Sequence, residues 1–448
     1  MKLPALSAPN LKLGLSIGRR AGADVVGLDI QPGFVAAVKA RVNGSIVAEK
    51  AGVMVLPADT MRDGEVVDET ALADALRELF ARNALGKRVR VGVANQRTVL
   101  RTLELPPVTD AKELSAAVTF QAQDQVPMPL NNAVLDFHPL GVIDTPAGPR
   151  QRVVLVAAQR DMVEKLLSAV RAAGLTPEGV DLSAFALIRS LYRYDPEQTG
   201  RVLYLNVDGL SNLAIAEGTV CRFTRVVGSG LEGIASDLAE RRGIALIDAR
   251  TRLLESDLLA PEPVSEPFVP HDSAAAGAEE ASTHVPEAGI EAESAPAAFH
   301  TEEIPEPEPI DLSAEAQTAV PSLAEHEAYE QEMSYEEMTA TPLPAEVPAS
   351  AVSESDVRMV LENGIREISG EVRNSLDFHR SQEGGGDVSH VVLSGAAQTI
   401  PGFAEMLQSS LGVDVRPATV GFLDSIGQVS PQRLAVATGL AASEVPHQ

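Results

Sequence analysis

The feature that most constrains this chain is a pattern of short strands and tight turns that occurs twice. From Val202 to Gly243, VLYLNVDGLSNLAIAEGTVCRFTRVVGSGLEGIASDLAERRG reads as a strand (Val202–Val207), a turn around Asp208-Gly209 and a second strand (Asn212–Glu217). A turn at Gly218, a third strand (Phe223–Val227), a glycine break and a helix follow. Val, Leu, Ile and Tyr fill the strand positions while Asp, Gly and Ser mark the turns. Gly228 and Gly230 sit just before the helix, where free backbone N–H groups could dock an anion. The plainer alternative is that they only shape the strand-to-helix turn. Near the N-terminus, VVGLDIQPGFVAAVKARVNGSIVAEKAGV (Val25–Val53) repeats the order strand, turn, strand, Asn43-Gly44 turn, strand. Two copies about 175 residues apart predict two related halves facing each other across a cleft.

The chain has 448 residues, enough for two or more domains with substantial cores. It has no apolar run near the ~18 residues of a transmembrane helix, and its first residues lack a signal peptide's apolar core and cleavage site. A cytoplasmic location is the simplest expectation. The single cysteine, Cys221, excludes an internal disulfide and a Cys-rich metal site, and its strand position points to packing. The eight histidines show no metal-ligand spacing; His379, on a long helix, reads as a surface or packing residue. No Ser/His/Asp arrangement can be argued.

The net charge of −27 belongs to one segment. Between Arg252 and Arg358 there are 25 acidic residues and neither Lys nor Arg, so the remainder is close to neutral. That excludes nucleic acid as a partner of the segment and leaves no basic footprint elsewhere. Residues 258–355 are also rich in Pro, Ala, Glu and Ser without hydrophobic periodicity, a composition that predicts a disordered acidic insert. Within it, YEQEMSYEEM (Tyr329–Met338) offers apolar anchors among acids for a basic partner, or is part of a solvating spacer.

The leader, residues 1–24, interleaves Leu3, Leu6, Leu11, Leu13, Leu15 and Ile17 with Lys2, Lys12, Arg19 and Arg20. It reads either as a membrane-surface or partner-binding segment, or as a disordered leader broken by Pro4, Pro9 and Gly14. Residues 25–195 form the first half. Leu72, Ala75, Leu76, Leu79 and Phe80 recur at helical spacing within Asp68–Asn83, and RVRVGVA (Arg88–Ala94) returns as a strand. From about Val99 to Thr176 the order strand, helix, two strands, helix reads as an inserted α+β module. The second half spans 200–257 and 356–442, with a long helix Asp356–His379, a strand Val388–Gly395 and a helix Pro401–Leu411; 443–448 is a tail.

Several stretches resemble the PilM proteins of type IV pilus assembly, which share the actin-like, FtsA-like fold. They are LSAAVTFQAQDQVPMPLNNAVLDFHPLG (Leu114–Gly141), VVLVAAQRDMVEKLLSAVRAAGLTPEGVDLSAFALIRSL (Val153–Leu191), EVRNSLDFHRSQ (Glu371–Gln382) and VVLSGAAQTIPGF (Val391–Phe403). The resemblance implies a two-lobed actin-like α/β fold with ATP and Mg²⁺ between the lobes, held by an Asp-x-Gly turn in each. It implies nucleotide-binding roles for Asp29, Gly33, Asp208, Gly209, Gly228, Gly230 and Gly395, with Asp29 also on the metal. The sequence departs from that pattern: Gln31 stands where the first glycine is expected, Asn206 and Asp208 where the second acid and glycine are. Ala396 and Ala397 follow Gly395 where a second glycine is usual. These departures predict little or no turnover. Asp29 and Asp208 equally suit turns that they satisfy themselves, Asn206 suits a strand end, and Gly395 suits close packing alone.

The resemblance further implies a scaffold on the inner face of the cytoplasmic membrane, peripheral through its partners. The peptide groove lies between the first half and the inserted module and takes the cytoplasmic peptide of a PilN-like inner-membrane protein. Pilus motor ATPases are further neighbours, and self-association is allowed. The alternatives are an ATP-dependent switch in the same machine and an FtsA-like division protein.

Overall fold

The structure is a computed structural model that describes residues 25–43, 45–195, 200–261, 352–382, 384–418, 420–422 and 429–442. The leader, the tail and all of the expected insert between 262 and 351, including Tyr329–Met338, lie outside the described residues.

Strand β1 (Val26–Gln31) turns at Pro32-Gly33 into β2 (Phe34–Asn43), which returns as β3 (Ser45–Val55). Every residue of β1 is buried, as in a central strand covered on both faces. A small ribbon, β4 (Met61–Arg62) with β5 (Glu65–Val66), leads to helix α1 (Glu69–Arg82). Asp68 caps α1 by accepting from the Thr70 and Ala71 N–H groups. Strand β6 (Arg88–Val93) then joins β1 in parallel.

The inserted module has its own sheet. Strands β7 (Val99–Leu105), β8 (Ala133–Thr145) and β9 (Gly148–Gln159) pair in the order β7-β9-β8, and helix α2 (Ala111–Gln125) lays Leu114, Val118 and Ala122 on one face. The module ends earlier than its expected limit at Thr176. Helix α3 (Arg160–Ala172) packs on α1 and gives Val163, Leu167 and Val170 to the main core, and β10 (Thr176–Leu182) pairs with β6. Helical spacing identifies α3 but not the sheet it covers, which is why the sequence places it in the module.

Helix α4 (Ser183–Leu191) leads to the second lobe: β11 (Arg201–Val207), β12 (Ser211–Glu217), β13 (Val220–Val227), α5 (Leu231–Arg242) and α6 (Leu246–Glu255). It continues with α7 (Glu354–Ser381), β14 (Val388–Ser394), α8 (Phe403–Leu411) and β15 (Val415–Pro417). The chain then returns to the first lobe through β16 (Gly421–Phe422), parallel to β3, and α9 (Ala435–Ala441).

The two main sheets have the same plan. The first runs β10-β6-β1-β2-β3-β16; the second, read from its other end, runs β15-β14-β11-β12-β13. In each, an antiparallel meander is followed by two parallel neighbours. The two related halves expected from the repeated hairpins are therefore present, and the described residues form two lobes with an inserted module.

Helices α4 and α9 join the lobes. Helix α9 rests on β1 and crosses α4 so closely that a Cβ on Gly439 would lie 1.9 Å from the Ala186 carbonyl oxygen. On its other side α4 meets β12, so one core contains Ala186 and Leu187 together with Ala214, Ala216 and Cys221. The buried Arg90 guanidinium closes the end of α9, donating to the carbonyls of Leu440 (3.0 Å) and Ala442 (2.7 Å). A cation is favoured at that terminus by the helix dipole as well.

The limits of the acidic insert are narrower than 258–355. Leu258 and Val352 are both buried in the second core, and Ser353 caps α7. The Leu258 N–H donates to Pro401 (3.0 Å), and Arg358 donates to the Leu258 and Ala260 carbonyls. Composition hid these residues because Asp257, Pro261 and Glu262 flank Leu258, and Ser353, Glu354 and Asp356 follow Val352. Replacing 262–351 with a short Gly/Ser linker is expected to leave the thermal midpoint nearly unchanged, since closure entropy grows slowly with loop length. Extending the deletion to 258–355 is expected to lower stability by about 2–5 kcal/mol through loss of buried Leu258 and the α7 cap, read by urea denaturation.

Candidate functional site

The site is where the two hairpin turns meet. Gln31 pairs with Phe34 across Pro32-Gly33, with proline at the first turn position and glycine at φ 86° at the second, the requirement of a type II turn. In the second lobe Val207 pairs with Ser211 across Asp208, Gly209 and Leu210. A Cβ on Gly209 would stand 2.1 Å from the Pro32 carbonyl oxygen, so the two turns touch backbone to backbone.

Asp208 gathers four pieces of chain. Its C=O accepts from the Leu231 N–H (2.7 Å), the first residue of α5. Its Oδ1 accepts from the Ala396 N–H (2.8 Å) and lies 3.6 Å from Arg433 Nε; its Oδ2 accepts from Asn206 Nδ2 (3.4 Å). Asn206 Oδ1 in turn accepts from Ser394 Oγ (2.9 Å). Asp29 is equally buried and accepts from Gln31 Nε2 (2.9 Å). Burial pushes Asp29 up to about 7, aided by the nearby Asp208 charge and opposed by the Gln31 bond. Burial also raises Asp208, to about 6, against the lowering pull of Arg433, the Ala396 N–H and Asn206.

The other expected residues fall as follows. Gly33 lies against Glu232: a Cβ there would be 2.4 Å from its Oε2. Gly230 packs on the backbone of the Asp208 turn, and Gly395, at φ 93°, packs on the Val207 carbonyl. Gly228 stands apart, facing Gln96 and Asp63 of the first lobe. Asp29, Gly33, Asp208, Gly209, Gly230 and Gly395 are thus brought to one place, and Gly228 to its rim. Cys221 is buried with its thiol pushed up to about 12 by burial, and His379 packs against Phe223, consistent with packing roles.

Sequence reasoning missed Arg433, Arg250 and Glu232. Arg433 forms an ion pair with Asp208 and lies 5.0 Å over the Phe34 ring. Arg250 Nε donates to Glu232 Oε2 (2.8 Å), and its Nη1 to the Leu56 carbonyl (3.3 Å) of the first lobe. Nothing local in the sequence signals these partners.

This arrangement does not fit Mg²⁺ and ATP. The turns that would flank phosphates are in contact, and the cavity between them has only 110 Å³, against about 300–1,000 Å³ for ordinary ligand pockets. Ala396, Ala397 and Ile400 are buried with Leu253 and Leu258 in the second core, so the loop after β14 faces packed side chains. The neighbouring cavity of 360 Å³ is lined by Asp59, Asp63, Glu232 and Glu240, with Arg62 already paired to Asp59. Such a lining repels a polyphosphate. Among the described residues no three His, Cys, Asp or Glu side chains group as metal ligands.

The raised Asp29 value fixes a pH dependence. Below about 4 the carboxyl is protonated in folded and unfolded chains alike; between about 4 and 7 only the folded chain keeps its proton, so stability falls as pH rises. Asn at this position removes the dependence. The stability of Asp29→Asn relative to wild type is expected to increase from pH 4 to 7 and then level off in urea melts. A flat or falling difference would show that Asp29 is ionised in the folded state throughout.

A sequence model of the family described as type IV pilus assembly protein PilM matches residues 27–202, from β1 through the inserted module to the start of β11. Among solved structures, the fold is similar to the PilM-PilN type IV pilus biogenesis complex at 19% identity and TM-score 0.60, covering 93% of this chain and 97% of that one. It is also matched to ethanolamine utilization protein EutJ from Carboxydothermus hydrogenoformans (15% identity, TM-score 0.42, covering 93% and 88%). A further match is MreB5 of Spiroplasma citri bound to ADP (12%, 0.42, 93% and 94%). The resemblance to PilM proteins read from the sequence is borne out.

Proposed function

We propose that this chain is a scaffold of type IV pilus assembly that docks the cytoplasmic peptide of a PilN-like inner-membrane protein. The observation that carries this reading is the family match over the first lobe together with its inserted module, the part expected to form the peptide groove. The overall fold, similar to that of a PilM-PilN complex, supports it. No helix among the described residues is long and apolar enough to cross a membrane, so the proposed place at the inner face of the cytoplasmic membrane comes through partners. Pilus motor ATPases are proposed as further neighbours.

The reading assigns no turnover to the chain, because Asp29 and Asp208 bond within the protein and the turns between them are closed. Docking is therefore independent of nucleotide. Titration with a synthetic peptide of the PilN-like partner's cytoplasmic segment is expected to give saturable binding. Asp29→Ala and added Mg·ATP should each change the Kd by no more than about twofold, as for distant independent sites. Binding that requires ATP would favour the switch instead, and no binding at all would remove the scaffold reading.

A further inference from the structure

Two arginines cross the cleft in opposite directions. Arg433 belongs to the segment that returns to the first lobe: Leu434 beside it is packed with Phe34, Ala36 and Val38. Its guanidinium lies over Phe34 and reaches Asp208 of the second lobe. Arg250, on α6 of the second lobe, reaches the Leu56 carbonyl of the first while ion-paired with Glu232, which lies against Gly33. Both guanidinium groups line the same 110 Å³ cavity, walled by Pro32, Gly33 and Gly209.

We propose that Arg433 and Arg250 hold the two lobes closed in place of a nucleotide. In a cleft that closes on a ligand, the bound group supplies charge that draws both lobes inward. Here each charge is matched within the chain, Arg433 with Asp208 and Arg250 with Glu232, and both pairs sit against the hairpin turns. Asp208 has 1% and Glu232 18% side-chain exposure, so the pairs are shielded from solvent and weakly screened by salt. Arg433 also has a fixed plane, because the Phe34 face orients it and the neighbouring Gln432 carbonyl accepts from the Gly395 N–H (3.1 Å). The closed state is then a property of the chain alone, and the C-terminal segment that carries Arg433 is the element whose release would open it. This inference concerns lobe closure and holds or fails separately from peptide docking.

The test uses the full chain with spin labels on Thr70→Cys in the first lobe and Glu405→Cys in the second. Both positions are surface residues, whereas native Cys221 is buried and inert to labelling. The label-to-label distance is expected to be single and narrow, and unchanged by millimolar Mg·ATP. In Arg433→Gln the distribution should broaden toward longer distances, and amide exchange at Leu231, Gly395 and Ala396 should quicken about tenfold on loss of the shielded ion pair with Asp208. Arg433→Lys, which keeps the charge without the planar stack, should fall between. Should Arg433→Gln not fold, Arg250→Gln reads the same distance with the same expectation. The proposal is overturned if Mg·ATP shifts the wild-type distance, or if the arginine variants fold with distance and exchange unaltered.

Discussion

The structure depends on one buried carboxylate. Asp208 ends β11, and an ionised carboxylate at that depth is stable only when several partners replace its water. The partners are the Ala396 N–H, the Arg433 guanidinium and the Asn206 amide, while its own carbonyl holds the start of α5. One residue, by its carboxylate and its backbone carbonyl together, therefore fixes the second hairpin turn, a helix N-terminus, the loop after β14 and the returning C-terminal segment. The residue types that surround it follow from this. Glycine at 209, 230 and 395 lets three backbones converge on the turn, since a Cβ at any of them would fall within 2.4 Å of a carbonyl oxygen.

What could be read in the sequence was what is local. The meanders were legible because alternation and turn residues act within a few positions, and their repetition gave the two lobes. Asp208 was legible as a turn carboxylate, whereas Asp29 lies within β1 and accepts from the Gln31 side chain; the departures at Gln31, Asn206 and Ala396 were legible by position. Their consequences were not. Asn206 reads as a plain strand-end residue but links Asp208 to Ser394, a serine 188 residues from Asn206 in sequence. Arg433 and Arg250 carry no local pattern, because what defines them is a partner brought close only by the completed fold. Leu258 and Val352 read as part of the insert because composition averages over a window and is blind to which side chains have a core to enter.

The inserted module has a core of its own, separate from the cleft. Along β9, Val153, Leu155 and Ala157 face α2, while Val154, Val156 and Ala158 enter the core shared with α3. Strand β7 does the same with Leu103 and Leu105 on one side and Leu100 on the other. This is the period of two of a strand buried on both faces: one set of residues builds the module and the other fastens it to the first lobe. The module core contains no residue of the second lobe. A change at Asp208 or Arg433 reaches the module through the first lobe's sheet, which is itself fixed by β1, α9 and the Arg90 contacts, or through β13, which touches β7. The module's own core is thus built by alternation along β7 and β9 and takes no part in the charge pairs at the cleft.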